Sequence, residues 1–552
     1  MLTASGNLHL EIQTSRRNPV GILRTSSRDK SSKKIVHTQH GRITGCSIDQ
    51  LKMLQLAFRD QVLPADSPGA FRILSSREYG ASRALLQLAR ELGLHRTLYS
   101  RPEPWVDSVM AMIVGRIVYQ GSKLSLCNQW ANTCLWELCG IGGRPDVEQH
   151  CYLPLDRLLE RQRAIQKKLA SKHLRDGCLV LYDITSSYFE GEYENSEIVR
   201  FGYNRDKKSG HKQIVIGLLC SAEGCPVGCE VFSGNTNDAT TVEAKVAELR
   251  DQYGLEKIVF VGDRGMITEA RLEKLRDIEG LSTISALTHH QMKRLLKAGV
   301  IQAELFDEHN IVQISDPDNP KERYCLCRNP VTAAGETTTR RRLIGLSEEA
   351  LKKIADYKQK TTVEVLGARV GRDLAKYKMT KFFKWHVDAD PAAKKSRAHK
   401  LAWSLDEEKV GAEQRLDGCY IIRTDVGAES MGQEEVVAGY KALGNVERAF
   451  RNLKTTQLEI RPVYHKLDDR IKAHAFLCVL SYYVQWHLVE RVRPIFEADG
   501  TGEDRRWTVE NIIGRLAAIR SNRTEVGGVE FDQITEFDTE QKQIIDLLQI
   551  AM

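Results

Sequence analysis

The stretch Cys178-Leu-Val-Leu-Tyr-Asp-Ile-Thr-Ser-Ser-Tyr-Phe189 decides how the rest of the chain is read. Leu179, Val180, Leu181 and Ile184 are apolar and partly β-branched, and Arg175, Asp176 and Gly177 bound the run on its amino side. This pattern predicts a short buried strand with Asp183 near its carboxyl end. A carboxylate there is costly unless it is paired, hydrogen-bonded or bound to a cation. Asp183 is therefore read as a metal ligand whose companions come from elsewhere in the chain.

Downstream the texture stays strand-like. Gln213 to Cys220 and Val227 to Ser233 flank Ala222-Glu-Gly-Cys-Pro226, whose Gly224 and Pro226 mark a hairpin turn. A helix is expected over Thr240 to Gln252, then a second buried strand, Ile258-Val-Phe-Val-Gly-Asp263, which also ends in an aspartate. A helix (Thr268 to Ile278) and a strand (Leu281 to Ala286) complete the run. This order of elements is that of a ribonuclease-H-like α/β core.

The third carboxylate comes from Glu434 to Lys454, where Val436, Val437, Tyr440, Leu443, Val446, Phe450 and Leu453 recur at helical spacing. On one continuous helix, Tyr440, Glu447, Arg451 and Lys454 fall in a narrow stripe bordered by Leu443 and Phe450. A solvent-facing Glu447–Arg451 pair is the plain alternative. Against it stand the two strand-end aspartates upstream. Two divalent ions ~3.5–4 Å apart activate a water or 3′-hydroxyl and stabilise the leaving oxygen of a phosphodiester. Mg²⁺ takes hard oxygen ligands and keeps several waters, so a few carboxylates suffice. Asp183 suits the bridging position, with Asp263 and Glu447 each completing one ion. Ligation without His or Cys argues against zinc.

Composition sets the frame. With 552 residues the chain is long enough for several domains, and 42% hydrophobic with 28% charged residues is ordinary for a globular protein. A net charge of +7 points only weakly to an anionic partner. The thirteen cysteines show no disulfide or zinc-ribbon spacing and read as buried thiols. His37, His40 and Cys46 lack a fourth ligand and read as scattered polar residues. The amino terminus has no signal-peptide pattern, and no run reaches membrane-span length. A soluble, cytoplasmic protein is expected, with Ala473 to Val484 a buried helix.

The expected organisation begins with a basic arm or hairpin (1–46), in which residues 16–34 carry Arg16, Arg17, Arg24, Arg28, Lys30, Lys33 and Lys34 against the single acid Asp29. A helical DNA-binding region (47–170) follows. The core is split into 171–287 and 426–492 by an insertion (288–425), and a helical region (493–552) closes the chain. Within the insertion, Arg369 to Lys400 holds ten Lys/Arg around Phe382, Phe383 and Trp385, a mix suited to a nucleic-acid surface.

Tyr182-Asp-Ile-Thr-Ser-Ser-Tyr-Phe-Glu-Gly191, Val261-Gly-Asp-Arg-Gly-Met266 and Tyr440 to Lys454 resemble the three acidic motifs of bacterial insertion-sequence DDE transposases. The similar subgroup has a Tyr–Arg–Glu–Lys signature and a β-rich insertion before the glutamate. Phe201-Gly-Tyr-Asn-Arg-Asp-Lys-Lys208, Phe232 to Asp238, Asp417 to Thr424 and Arg461-Pro-Val-Tyr-His465 resemble it as well. The resemblance implies an RNase-H-like core, Mg²⁺ (with Mn²⁺ as a substitute) and cut-and-paste movement of DNA. It also implies a homodimer on the element's terminal inverted repeats and target DNA, with no membrane. It assigns Asp183, Asp263 and Glu447 to the catalytic, metal-binding triad. Tyr440 and Lys454 match positions contacting the terminal phosphates, and Leu443 stands where the signature arginine would be, with Arg448 or Arg451 as replacement charges. A haloacid-dehalogenase-type phosphatase would need an aspartate where Thr185 stands. The competing reading is a degenerate relative that binds DNA without cutting it; the three intact carboxylates favour activity.

Overall fold

The computed structural model of the chain describes residues 8–14, 19–28, 35–60, 71–205, 208, 210–264, 266–267, 269–306, 311–316, 319–356, 362–389, 399–454, 458, 460, 463–500, 505–526 and 529–552. Arg16, Arg17, Asp29, Lys30, Lys33, Lys34, Gly265, Lys394, Lys395, Arg397 and Arg461 lie outside them. Two units are present, Gln166–Arg451 and the pair of segments Met1–Ile165 and Asn452–Met552.

The unit Gln166–Arg451 is built on one eight-stranded sheet. Its strands are β1 (Leu179–Tyr188), β2 (Gln213–Ser221), β3 (Pro226–Ser233), β4 (Ile258–Val261), β5 (Leu281–Ala286), β6 (Val312–Asp316), β7 (Asn319–Arg328) and β8 (Cys419–Thr424), in the order β6-β7-β8-β5-β4-β1-β2-β3. β1, β2 and β3 form an antiparallel meander, while β4 and β5 run parallel to β1. Helix α1 (Asp238–Asp251) links β3 to β4, and α2 (Glu269–Arg276) links β4 to β5. All nine residues of β2 are buried, as its unbroken apolar run requires of a strand covered on both faces.

β1 is longer than expected. Asp183 lies in its middle rather than near its end, because the long β2 partner continues the ladder through Tyr188↔Gln213. On the other side β4 pairs only as far as Leu181↔Val261. The expected helix 434–454 is two helices, α3 (Gln433–Lys441) and α4 (Leu443–Lys454). The break falls at Ala442, just before Gly444 and Asn445, both weak helix formers.

The insertion is mixed rather than β-rich. It adds β6, β7 and β8 to the sheet edge, but also the 26-residue helix Pro330–Ala355 and the helix Val363–Lys376. Asn329 caps the first through Val331 and Thr332 amides, and Pro330 fits its first turn. These two helices and the hairpin Phe383–Ala389/His399–Leu405 enclose their own core of Leu351, Leu366, Val370, Leu374, Phe382 and Phe383, with Trp385 packed against it. The aromatic residues read as a nucleic-acid surface are therefore core residues. Nearby cations are paired locally, Lys381 with Glu413 (2.8 Å) and Lys384 with Asp406 (3.0 Å).

In the other unit, Leu8–Gln13, Val20–Arg28 and Ile35–Ile43 form a three-stranded antiparallel sheet, one strand more than the predicted hairpin. Leu10 packs there with Leu51 and Leu54 of helix Ile48–Asp60. His37 and His40 bond Ser26 and Thr25, each at 2.8 Å. Among the described residues, the region 47–170 is helical except for the strand Phe71–Glu78, and the carboxyl-terminal region carries the hairpin Arg520–Val526/Val529–Ile534. Arg520–Val526 pairs with Phe71–Glu78, a contact too distant in sequence for a local pattern to announce. Helix Asp468–Arg491 buries most of its length, Ala473 to Gln485 included. No helix among the described residues is long and apolar enough to cross a membrane. No disulfide joins the thirteen cysteines, ten of which are buried.

Within this unit Lys123 is buried and bonds His474 Nδ1. Burial first, then the Arg116 charge, brings its pKa down to about 7. An unfolded lysine holds its proton up to about 10.4, so between those values the unfolded chain binds more protons. Stability therefore rises with pH through that window and is lost as pH falls towards 7. Lys123→Met is expected to flatten a rise of at most about 1.4 kcal/mol per pH unit. Melting temperatures of parent and variant at pH 7 and pH 9 check this; parallel changes would contradict it.

Candidate active site

Asp183 and Asp263 are placed by strand register. Leu181 pairs with Val261 in the parallel ladder, and each aspartate stands two residues beyond its member of that pair. Gly262 still donates to Ile284 O (3.2 Å), so Asp263 is the residue at which the chain leaves the sheet. There its Oδ1 accepts from the Arg264 amide (2.7 Å) and its carbonyl from the Met266 amide (2.9 Å), closing a turn. Asp183 Oδ1 accepts from the Ile184 amide at 2.8 Å.

Glu447 comes from α4. Leu443, Val446, Ala449, Phe450 and Leu453 bury one face of that helix, and Glu447 and Arg451 lie on its exposed side. Leu443 thus belongs to the core, while Arg448 is exposed. Lys454 is half-buried at the carboxyl end of the helix. Tyr440, on α3, directs its hydroxyl to Asp263 Oδ1 at 3.5 Å. Burial, then the Asp263 charge, raises that phenol well above its usual range, so it stays a donor.

The electrostatics tie the carboxylates together. Burial is the largest influence on Asp183, pushing its pKa up to about 7; the Ile184 amide pulls it down, Asp263 pushes it up, Arg205 pulls it down and Glu447 pushes it up. A carboxyl pushed up by burial and by the charges of two other carboxylates suits a nearby multiply charged cation, which reverses that penalty. All the donors are hard oxygens, the set taken by Mg²⁺ and Mn²⁺. The donor chemistry therefore fits divalent metal ions, while the three carboxylates do not form one tight ligand cluster among the described residues.

Two cations escaped assignment from sequence. Arg205 acts on Asp183, and its amide donates to Ser186 Oγ (3.0 Å) on β1. Arg264 follows Asp263 directly and lowers the Tyr440 pKa by its charge. Both lie inside conspicuous motifs, 201–208 and 261–266, but their roles depend on how those loops fold back.

A family model described as a transposase DDE domain matches residues 175–484, more than half of the chain. No curated protein matches it. The matched span includes both aspartates, the glutamate helix and the whole insertion, and the chain belongs to the DDE-domain transposases, which act on DNA with divalent metal ions.

Proposed function

We propose that this chain is the transposase of an insertion sequence, cleaving DNA at the element's ends and joining them to target DNA by cut and paste. Asp183, Asp263 and Glu447 would hold Mg²⁺, with Mn²⁺ as a substitute. What supports the reading is that Asp263 and Glu447, far along the chain from Asp183, both act on its carboxyl by their charge. Bound there, the metal supplies Lewis-acid stabilisation and an activated oxygen nucleophile. The chain's own groups do the rest. Tyr440 holds the Asp263 carboxylate by its hydroxyl, and Arg205 and Arg264 bring positive charge to an anionic phosphate.

The catalytic core we propose is ribonuclease-H-like, spanning 171–287 and 426–492. In support, β3-β2-β1-β4-β5 combines an antiparallel meander with two parallel strands joined by helices. Tyr440, Arg451 and Lys454 are assigned to the element's terminal phosphates, as in the subgroup with the Tyr–Arg–Glu–Lys signature. With Leu443 buried, Arg448 or Arg451, both exposed on α4, supplies the charge of the missing arginine. Residues 47–170 are assigned to holding the DNA, and the active assembly is a homodimer.

Purified protein incubated with end-containing DNA and Mg²⁺ or Mn²⁺ tests the reading. Strand cleavage at the ends is expected; binding without cleavage would instead identify a DNA-binding relative that does not cut. Metal addition provides a second measurement. At ten times its Kd, either ion is expected to stabilise the parent by ~1.4 kcal/mol. A thermal-shift titration reads this directly, and Asp183→Asn combined with Glu447→Gln should show no shift.

A further inference from the structure

Two large aromatic rings stand in solvent on the segment that leads into Arg205, whose charge acts on Asp183. Phe201 is 61% exposed and Tyr203 84% exposed. Rings left facing water on a loose loop need no explanation, but the backbone beneath these two is pinned. Arg200 and Gln213 exchange both backbone hydrogen bonds, at 3.0 and 2.8 Å. The fully buried Gln213 side chain donates to Tyr203 O (3.0 Å) and Gly234 O (2.8 Å). Between the rings, Gly202 presses so close that a Cβ would meet Gly234 O at 1.9 Å. Beyond them, the Arg205 amide is held by Ser186 Oγ, three residues after Asp183 on the same strand.

The surroundings are cationic. Arg200 is exposed, Arg205 acts electrostatically on Asp183, and Lys208 lies over the Tyr188 ring at 5.9 Å, again on β1. Glu192 faces Lys212 at 3.8 Å. Fixed aromatic faces interleaved with cations are the makings of a single-strand nucleic-acid surface, because every base offers a π-face and every link a phosphate. A ring can stack only on a base taken out of the duplex. We infer that Phe201 and Tyr203 form a stacking platform for unpaired bases of the DNA strand presented to Asp183, Asp263 and Glu447. The inference rests on reading those carboxylates as a DNA-cleaving site.

The test uses the full chain in metal-free buffer with a single-stranded oligonucleotide carrying 2-aminopurine, whose fluorescence is quenched by stacking. The parent is expected to bind and quench. Phe201→Ala and Tyr203→Ala are each expected to weaken single-strand binding about tenfold or more, with the quench lost in the double variant. Duplex binding, driven by phosphate contacts, should change less than about threefold. Tyr203→Phe should retain both binding and quench. The platform is overturned if the double variant binds and quenches like the parent, or if the parent does neither. Equal losses of single-strand and duplex binding would also overturn it, as would a change confined to self-association, which would make the rings a contact between copies. Because no metal is present and no cleavage is scored, failure here leaves the cleavage reading standing; that reading falls only with end cleavage.

Discussion

Asp183→Asn is expected to lower DNA cleavage by on the order of a thousandfold or more, because a metal ion supplies several kcal/mol of charge stabilisation at the reacting phosphate. The substitution preserves shape: the Asn carbonyl can still accept from the Ile184 amide, as Asp183 Oδ1 does at 2.8 Å. It removes only the charge, and that charge repels Asp263 and Glu447 in the metal-free protein. The variant should therefore melt no lower than the parent without metal. Binding to DNA ends should survive, since counterion release from phosphates drives it. Product formation on end-containing DNA, a melt and a salt titration of binding separate these effects. Cleavage at the parental rate would remove Asp183 from the chemistry altogether.

Gly234→Ala should be a strongly damaging single methyl addition. The new Cβ would lie 2.0 Å from Gln213 O and 2.5 Å from Arg200 O. Both are backbone atoms, so no side chain can rotate away, and the Gln213 N–H already bonds Arg200 O. Overpacking of this kind costs about 3 kcal/mol or more when the backbone itself must move. Activity should fall with stability, because the displaced segment carries Arg205. Gly335→Ala is the contrasting control. It lies exposed within helix Pro330–Ala355 with nothing near its Cβ, and a gain of ~0.5–1 kcal/mol is expected there. Denaturant melts of both variants settle the pair of expectations, and a Gly234→Ala protein as stable as the parent would refute the first.

Local patterns carried the reading furthest where the structure is itself local. The hairpin β2–β3, the parallel strands and their intervening helices follow from apolar runs and turn residues such as Gly224 and Pro226. The two aspartates announced themselves because a carboxylate within or just past an apolar run is expensive. Non-local pairing left no such trace. Phe71–Glu78 meets Arg520–Val526 across most of the chain, and β8 joins β5 only after the whole insertion. Phe382, Phe383 and Trp385 misled because interleaved cations look alike whether the rings between them face solvent or a core. Phe201 and Tyr203, which are exposed, drew no reading as a surface, since sequence carries no burial for a loop residue.

Within the insertion, the chain leaves the sheet at Arg328 and returns at Cys419, and those two residues are partners in the β7–β8 ladder. Asn329 and Gly418 are joined as well, by a backbone hydrogen bond of 2.9 Å. Departure and return thus share one point, and what lies between them is a side branch with a core of its own. Growth, trimming or replacement of such a branch changes loop-closure entropy only slowly with length. A chain built this way can exchange the branch for another while the register that aligns Asp183 with Asp263 stays as it is.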